Sequence, residues 1–360
     1  MKEPYVDALA TLSAISGAAF AQSSVTLYGV VDLGLMSSKA TIGTATYKQT
    51  AMSNGVQSGG RIGFKGTEDL GGGLKANFVV ENGITPDEST TAFGGSNRQS
   101  FVNLEGGFGT VALGRQYTLH HNNQGAGDMV GNISLAGYLG SMDSLVRQSN
   151  AVTYTSPSFS GVTVAAQMGF GESITSGSTE KANDQTALRV AYASGPLTAG
   201  LAYETVKNGK LADTSFLGQY VDGSGAVPAT GAATSAYDKR KAMNISATYD
   251  LGMAKIGFVN NNTKFDNMVN SGGDAVGNTK WAANTLSVAA PFGAVTAFAS
   301  FGAGKVTAAD GSTSKSSAYQ LGASYALSKR TNMYAFTGQT KLKDVDAKLG
   351  QTVVGVRHQF

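Results

Sequence analysis

A side-chain alternation of period two runs through most of the chain, and it limits the fold more than any single motif does. In VTLYGVVDLGL, Val25, Leu27, Val31 and Leu33 share one face while Thr26, Tyr28 and Asp32 share the other, as in a strand whose successive side chains point to opposite sides. RIGFKG sets Ile62 and Phe64 against Arg61 and Lys65, and LKANFVVE sets Leu74, Ala76, Phe78 and Val80 against Lys75, Asn77 and Glu81. VTVAAQMGF, TALRVAY, NISATYD, YQLGASYAL and VVGVRHQF repeat the pattern. Sixteen strands are expected, near 24–36, 59–68, 72–83, 97–105, 108–115, 147–156, 161–170, 184–194, 197–207, 240–251, 253–264, 279–290, 293–303, 316–327, 331–341 and 351–360.

The connections between them alternate in length. Short ones fall at 69–71, 106–107, 157–160, 195–196, 252, 291–292 and 328–330, and long ones include 37–58, 116–146, 208–239 and 304–315. Strands of about 9–11 residues in even number, with short turns at one end and long loops at the other, predict a closed antiparallel barrel that spans a membrane. In hydrocarbon every backbone N–H and C=O must be paired internally, and closure achieves this without an edge strand. A soluble β-sandwich or β-helix also alternates, but its surface needs more charge than the 14% found here, against about 25% in ordinary soluble proteins. The 48 glycines cluster at strand ends, where turns and bulges require positive φ or close backbone approach. Tyr28, Phe108, Tyr249, Tyr325 and Phe360 are candidates for interfacial girdles.

No apolar stretch reads as a membrane helix: the uncharged run Trp281–Gly304 is broken by Asn284, Pro291 and glycines, and splits into two alternating segments at 291–293. Residues 1–21 read as a signal peptide, with a small and apolar run at 8–21 ending in Ala19-Phe20-Ala21 before Gln22, although Glu3 and Asp7 offset Lys2. The mature barrel is then 22–360. With no cysteine there is no disulfide, thiolate site or cysteine nucleophile. A formal charge of +3 gives no nucleic-acid footprint. His120 and His121 could join Asp128 at a metal, or a serine in hydrolysis, but lack ligand spacing or an orienting partner, so no catalytic, cofactor or metal site is expected. GAGDMVG at 125–131 and GAGK at 302–305 lack phosphate-loop spacing and read as flexible loop tips.

SSVTLYGVVDLGL, RIGFKGTEDLGGGLKANFVVENG, NRQSFVNLEGGFGTVALGRQYT, RQSNAVTYTSPSFSG and the closing VGVRHQF, in that order, resemble the 16-stranded general diffusion porins of Gram-negative bacteria, in the branch whose mature chains begin with a VTLYG strand. The resemblance covers 22–360. It implies passive diffusion of ions and small hydrophilic solutes across the outer membrane, a homotrimer set among outer-membrane lipid and lipopolysaccharide, and a third long loop, 116–146, folded inward as a constriction. It further implies that terminal Phe360 is read by the outer-membrane assembly machinery. A substrate-specific channel is the alternative, with an outer-membrane enzyme or adhesin after it.

Parity places Arg61, Lys65, Lys75, Arg98, Arg147, Arg189, Lys255 and Arg357 in the lumen against Asp32, Glu81, Glu204 and Asp250. That excess of basic residues predicts anion preference, since a narrow opening with low-dielectric walls focuses such fields. Arg98 is ambiguous in parity, with Phe101 on one face of its strand and Val102 and Leu104 on the other. By resemblance, Arg61, Arg98 and Arg147 stack on the barrel wall, with Lys75 and Glu81 also at the constriction and Asp128 or Asp143 facing the arginines from the loop. The competing reading is that wall carboxylates such as Glu81 and Asp32 simply pair with these arginines and hold the loop.

Overall fold

A computed structural model describes residues 24–87, 97–130, 145–173, 181–213, 233–269, 275–344 and 346–360. The 1–21 segment and Asp143 lie outside the described residues. The chain runs β1 (Ser24–Ile42), β2 (Ala45–Asn54), β3 (Arg61–Gly71), β4 (Leu74–Gly83), β5 (Asn97–Gly106), β6 (Gly109–Tyr117), helix α1 (Leu119–Gly127), β7 (Arg147–Thr155) and β8 (Val162–Gly169). A two-residue pair, β9 (Glu172–Ser173) and β10 (Lys181–Ala182), stands apart as its own small sheet. Then follow β11 (Asp184–Ser194), β12 (Leu197–Asp213), β13 (Ala233–Asp250), β14 (Lys255–Val269), β15 (Ala275–Phe292), β16 (Val295–Thr307), β17 (Thr313–Ala326), β18 (Thr331–Leu342) and β19 (Ala347–Gln359).

Each strand of the large sheet pairs antiparallel with its neighbours, and β19 closes the ring on β1 through Val30–Ile42. The sheet has 17 strands, but β2 lies on Leu33–Ile42 and β3 on Ser24–Val30 of the same strand β1, so these two form one interrupted stave and the barrel has sixteen. The interruption, 55–60, is held by Asp32. Its Oδ2 accepts the amides of Gln57 at 2.8 Å and Ser58 at 2.6 Å, and its Oδ1 accepts the Tyr334 hydroxyl at 2.6 Å.

The barrel is apolar outside and polar inside, the reverse of a soluble protein. Leu201, Tyr203, Met243, Ile245, Phe258 and Leu286 are exposed, whereas Gln167, Gln185, Asn244, Ser246, Asn261 and Ser287 are buried. The candidate girdle residues Phe108, Tyr249, Tyr325 and Phe360 are exposed near the short-turn end. Tyr28 belongs elsewhere: its hydroxyl donates to Glu81 in the lumen. Val354, Val356 and His358 are exposed with Phe360, whose backbone exchanges hydrogen bonds with Gly29 at 3.1 and 3.2 Å. Any side chain at Gly29 would run into the Phe360 ring.

Three of the long connections are shorter than the alternation suggested. Residues 37–58 contain the end of β1, a turn at 43–44 and all of β2; β12 and β13 extend into 208–239; and β16 and β17 leave only 308–312 between them. GAGK lies within β16 and is not a loop tip.

Candidate pore constriction

The described first part of the connection between β6 and β7, residues 118–130, turns into the barrel. Thr118 starts α1, its hydroxyl oxygen accepting from His121 N at 3.1 Å and donating to the Leu145 carbonyl at 2.7 Å. The helix then lies on the inner wall of β11–β14. Asn123 Nδ2 donates to Asn244 Oδ1 at 2.9 Å, Asn244 Nδ2 to the His120 carbonyl at 2.9 Å, and Arg189 Nε to Asn123 Oδ1 at 3.1 Å. Thr248 Oγ1 donates to the Ala126 carbonyl at 2.6 Å. The approach is so close that a Cβ on Gly200 would meet Asn123, and one on Gly127 would meet the Phe258 carbonyl. Beyond the helix, Met129 N reaches Ser287 Oγ at 2.9 Å and Val130 packs on Tyr334, Phe336 and Val353. The 125–130 segment is therefore seated on the wall, not a loose loop tip.

A basic cluster occupies the lumen face of β3–β7. Glu81 is its hub: Arg98 Nε donates to Oε1 at 2.7 Å, Tyr28 OH to Oε2 at 3.1 Å, and Arg61 Nε lies 3.5 Å from Oε2. Arg61 also reaches the Gly59 carbonyl at 3.0 Å. Tyr117, at the foot of the inward loop, accepts Arg98 Nη2 at 2.8 Å and Arg147 Nη2 at 3.1 Å. The Arg147 guanidinium stands 4.7 Å from the centre of the Tyr117 ring, and His121 stacks on that ring at 5.1 Å. Two guanidinium groups thus share the Glu81 carboxylate, and the third, that of Arg147, is held beside them by Tyr117. Glu81 keeps 6% of its side chain exposed against 23% for Arg61 and 15% for Arg98, so water in the pore meets mainly the cations.

The structure brings Arg61, Arg98, Arg147 and Glu81 together. Arg98 reaches the cluster through a register shift between Glu81 and Asn82, where β5 holds one more residue than β4; a bulge of this kind re-aims a side chain that strict alternation sends elsewhere. Lys75 shares the face of Glu81 but stands six residues along β4, near the Gly72–Gly73 turn, about 20 Å away at the rise of a strand. Asp128 is buried, and its Oδ1 accepts from Val130 N at 3.0 Å within the loop itself. Asp32 serves the 55–60 break, so it is not the arginines' partner. Glu204, counted above as a lumen acid, is sealed behind α1 in an ion pair with buried Arg240, while Gln185 donates to its other oxygen at 2.6 Å. Lys255 pairs with Asp250 at 3.2 Å at the short-turn end. Tyr117, Asn123 and Arg240 were not singled out from sequence, and Tyr28 was expected in a girdle although its inward parity pointed to the lumen.

His120 is wholly buried between α1 and the wall, and so is not an ordinary polar loop residue. Burial, then the charges of Arg240 and His121, hold its imidazole well below the usual pKa, and burial, then Arg147 and Arg98, lower His121 to about 4. Both are neutral when docked. A released helix takes up protons below about pH 6.5 that the docked one does not, so docking weakens as pH falls from there toward 4, by about 2 kcal/mol at pH 5 for His121 alone. Amide exchange of 119–127 is expected to be faster at pH 5 than at pH 7 after correction for intrinsic rates. The double change His120→Gln and His121→Gln should remove the difference, and equal wild-type protection at both pH values would refute it.

Comparison with known proteins is consistent with this architecture. The family described as Gram-negative porin matches residues 8–345. Outer membrane porin protein 32 of Delftia acidovorans is 33% identical over 387 residues, covering 98% of each chain. Among solved structures, an anion-selective porin from Comamonas acidovorans superposes with a TM-score of 0.74 at 26% identity, covering 94% of this chain and 100% of that one. OmpT of Vibrio cholerae, described as a trimer form, gives 0.65 at 16% identity, covering 94% and 99%.

Proposed function

Since the chain belongs to the Gram-negative porin family and is a passive diffusion channel of the outer membrane, we propose that its pore prefers anions and that Arg61, Arg98 and Arg147 set that preference. The observation that carries this reading is the cluster's imbalance on the lumen face of β3–β7: Arg61 and Arg98 on Glu81, with Arg147 beside them on Tyr117, three arginines to one carboxylate. The similar porin from Comamonas acidovorans is described as anion-selective, which supports the same sign. The family indicates a channel rather than an enzyme. In this reading 116–146 is the constriction loop, residues 1–21 are removed on export, and three barrels assemble as in the solved trimer of the same fold.

Single-channel recording in a planar phospholipid bilayer tests it. Stepwise ohmic currents are expected, with a zero-current potential in a salt gradient of the sign that anion flow gives. A protein that makes no pores, or whose pores give the cation sign, would overturn the proposal.

A further inference from the structure

Beneath α1 the inner wall holds a hollow of about 240 Å³. Thr110, Thr155 and Thr163 border it, each at most one residue from the short-turn end of its strand, so it lies on the short-turn side of the inward loop. Ala112, Ala165 and Ala191 leave the space, since any larger side chain at these inward positions would occupy it. Leu119 and Asn122, three residues apart and therefore on one face of the helix, form the roof, and Phe101 and Tyr117 add two rings. The roof is fixed in place. Leu119 packs on Ala165 and Ala187, and Arg189 Nε donates to Asn123 Oδ1 at 3.1 Å.

Arg189 is the one charged side chain in the lining of this hollow. Its bond to Asn123 uses Nε and orients the guanidinium, while its two Nη groups bond no other described residue. Glu105 stands opposite Thr110 at the lower edge, but it also stands opposite Lys75. The acid is thus matched and the guanidinium is not. Tyr117 joins the hollow to the arginine cluster, because its hydroxyl accepts Arg98 and Arg147 while its side chain lines the hollow. An anion that has passed the constriction next meets Arg189.

We propose that this hollow is a subsite for small aromatic monocarboxylates, with the carboxylate on the Arg189 Nη groups and the ring against Phe101 and Leu119. A planar guanidinium fork matches one carboxylate, and a second carboxylate would find no second cation in the lining. Leu119, Phe101 and the three alanines offer an apolar body the burial that a bare inorganic anion cannot use. The volume is below the ~300 Å³ at which drug-sized sites begin, which suits a single ring. The proposal rests on the reading of the chain as a diffusion channel, whose solutes reach the site through the lumen.

Saturation-transfer NMR on the full mature chain folded in detergent tests it, with benzoate as probe and acetate and benzyl alcohol as controls. Benzoate should bind at least tenfold more tightly than either, because acetate lacks the ring and benzyl alcohol the charge. Arg189→Gln should weaken benzoate binding at least tenfold. Ala191→Leu should do the same, since it fills the hollow and leaves the Arg189–Asn123 bond in place. Lys255→Gln, outside the hollow, should have no effect, and the joint replacement of Arg61, Arg98 and Arg147 by glutamine should weaken binding less than Arg189→Gln alone. Equal binding of benzoate and either control would overturn the proposal, as would benzoate binding that survives both Arg189→Gln and Ala191→Leu. Should either of these variants not fold, the other and the wild-type comparison decide. Conductance without benzoate reads the pore separately: a chain that conducts but does not bind benzoate loses only the subsite, and one that binds benzoate but does not conduct loses the channel reading.

Discussion

Replacing Arg61, Arg98 and Arg147 together by glutamine should move the zero-current potential in a salt gradient from the anion side to near zero. The three guanidinium groups sit on one wall, Arg61 linked to Arg98 through Glu81 and Arg98 to Arg147 through the Tyr117 hydroxyl, so each neighbouring pair lies within the ~10 Å over which 0.1 M salt screens a charge. A permeating ion therefore meets their combined field. Glu81 cancels about one of the three charges, and low-dielectric walls focus what remains. Two further outcomes separate this mechanism from a structural role. Glu81→Gln removes the shared carboxylate and should increase anion preference, whereas a wall that only anchors the loop would show altered conductance with no change of sign or size in selectivity. Wild-type preference should also weaken in concentrated salt as screening shortens. Unchanged selectivity in the triple variant would mean that other charges, such as Lys65 or Arg357, set the preference.

How much of this was legible in the sequence follows from which solvent each residue meets. Where a strand crosses hydrocarbon, its outward positions must be apolar and the alternation is plain, as in Val25, Leu27 and the Phe78–Val80 pair. Above the lipid the same ladder continues into water, and its outward positions become Thr46, Lys48 and Thr50. Hydrogen bonding persists there while hydrophobic periodicity vanishes, so β2 and the upper parts of β12, β13, β16 and β17 looked like loop. Helix α1 was hidden for a related reason. It buries His120, Asn123 and Gln124 against a polar inner wall, so it has no apolar stripe to reveal it. Arg98 needed the register shift beside Glu81, which leaves no mark in residue parity. Parity placed Arg61 and Arg147 in the lumen, the resemblance grouped them with Arg98 at the constriction, and the geometry added Tyr117 as the partner of Arg98 and Arg147.

Asp32→Ala should be the most destabilising single change in the barrel, lowering the free energy of unfolding by about 4 kcal/mol. The carboxylate is fully buried and accepts three donors, the amides of Gln57 and Ser58 and the Tyr334 hydroxyl. Each buried donor left without a partner costs about 1–3 kcal/mol, and Arg357, opposite Asp32 in the β1–β19 ladder, loses its counter-charge. Tyr334→Phe removes one of the three bonds and should cost about 1 kcal/mol. Asp32→Asn should fall between, because its amide nitrogen must face at least one donor. Urea unfolding in lipid vesicles, followed by loss of tryptophan fluorescence, gives the ranking. Failure of Asp32→Ala to lower the midpoint would show that 55–60 is held by other contacts. The damage should also reach the pore, because the segment that Asp32 fastens carries the Gly59 carbonyl that receives Arg61 Nη1 at 3.0 Å, and Gly60, whose carbonyl accepts Ile84 N at 3.1 Å. Freed from Asp32, this segment no longer fixes Arg61 against Glu81. Asp32→Ala channels that still fold should therefore show weaker anion preference although no lumen arginine has been altered, and Tyr334→Phe channels should keep most of it.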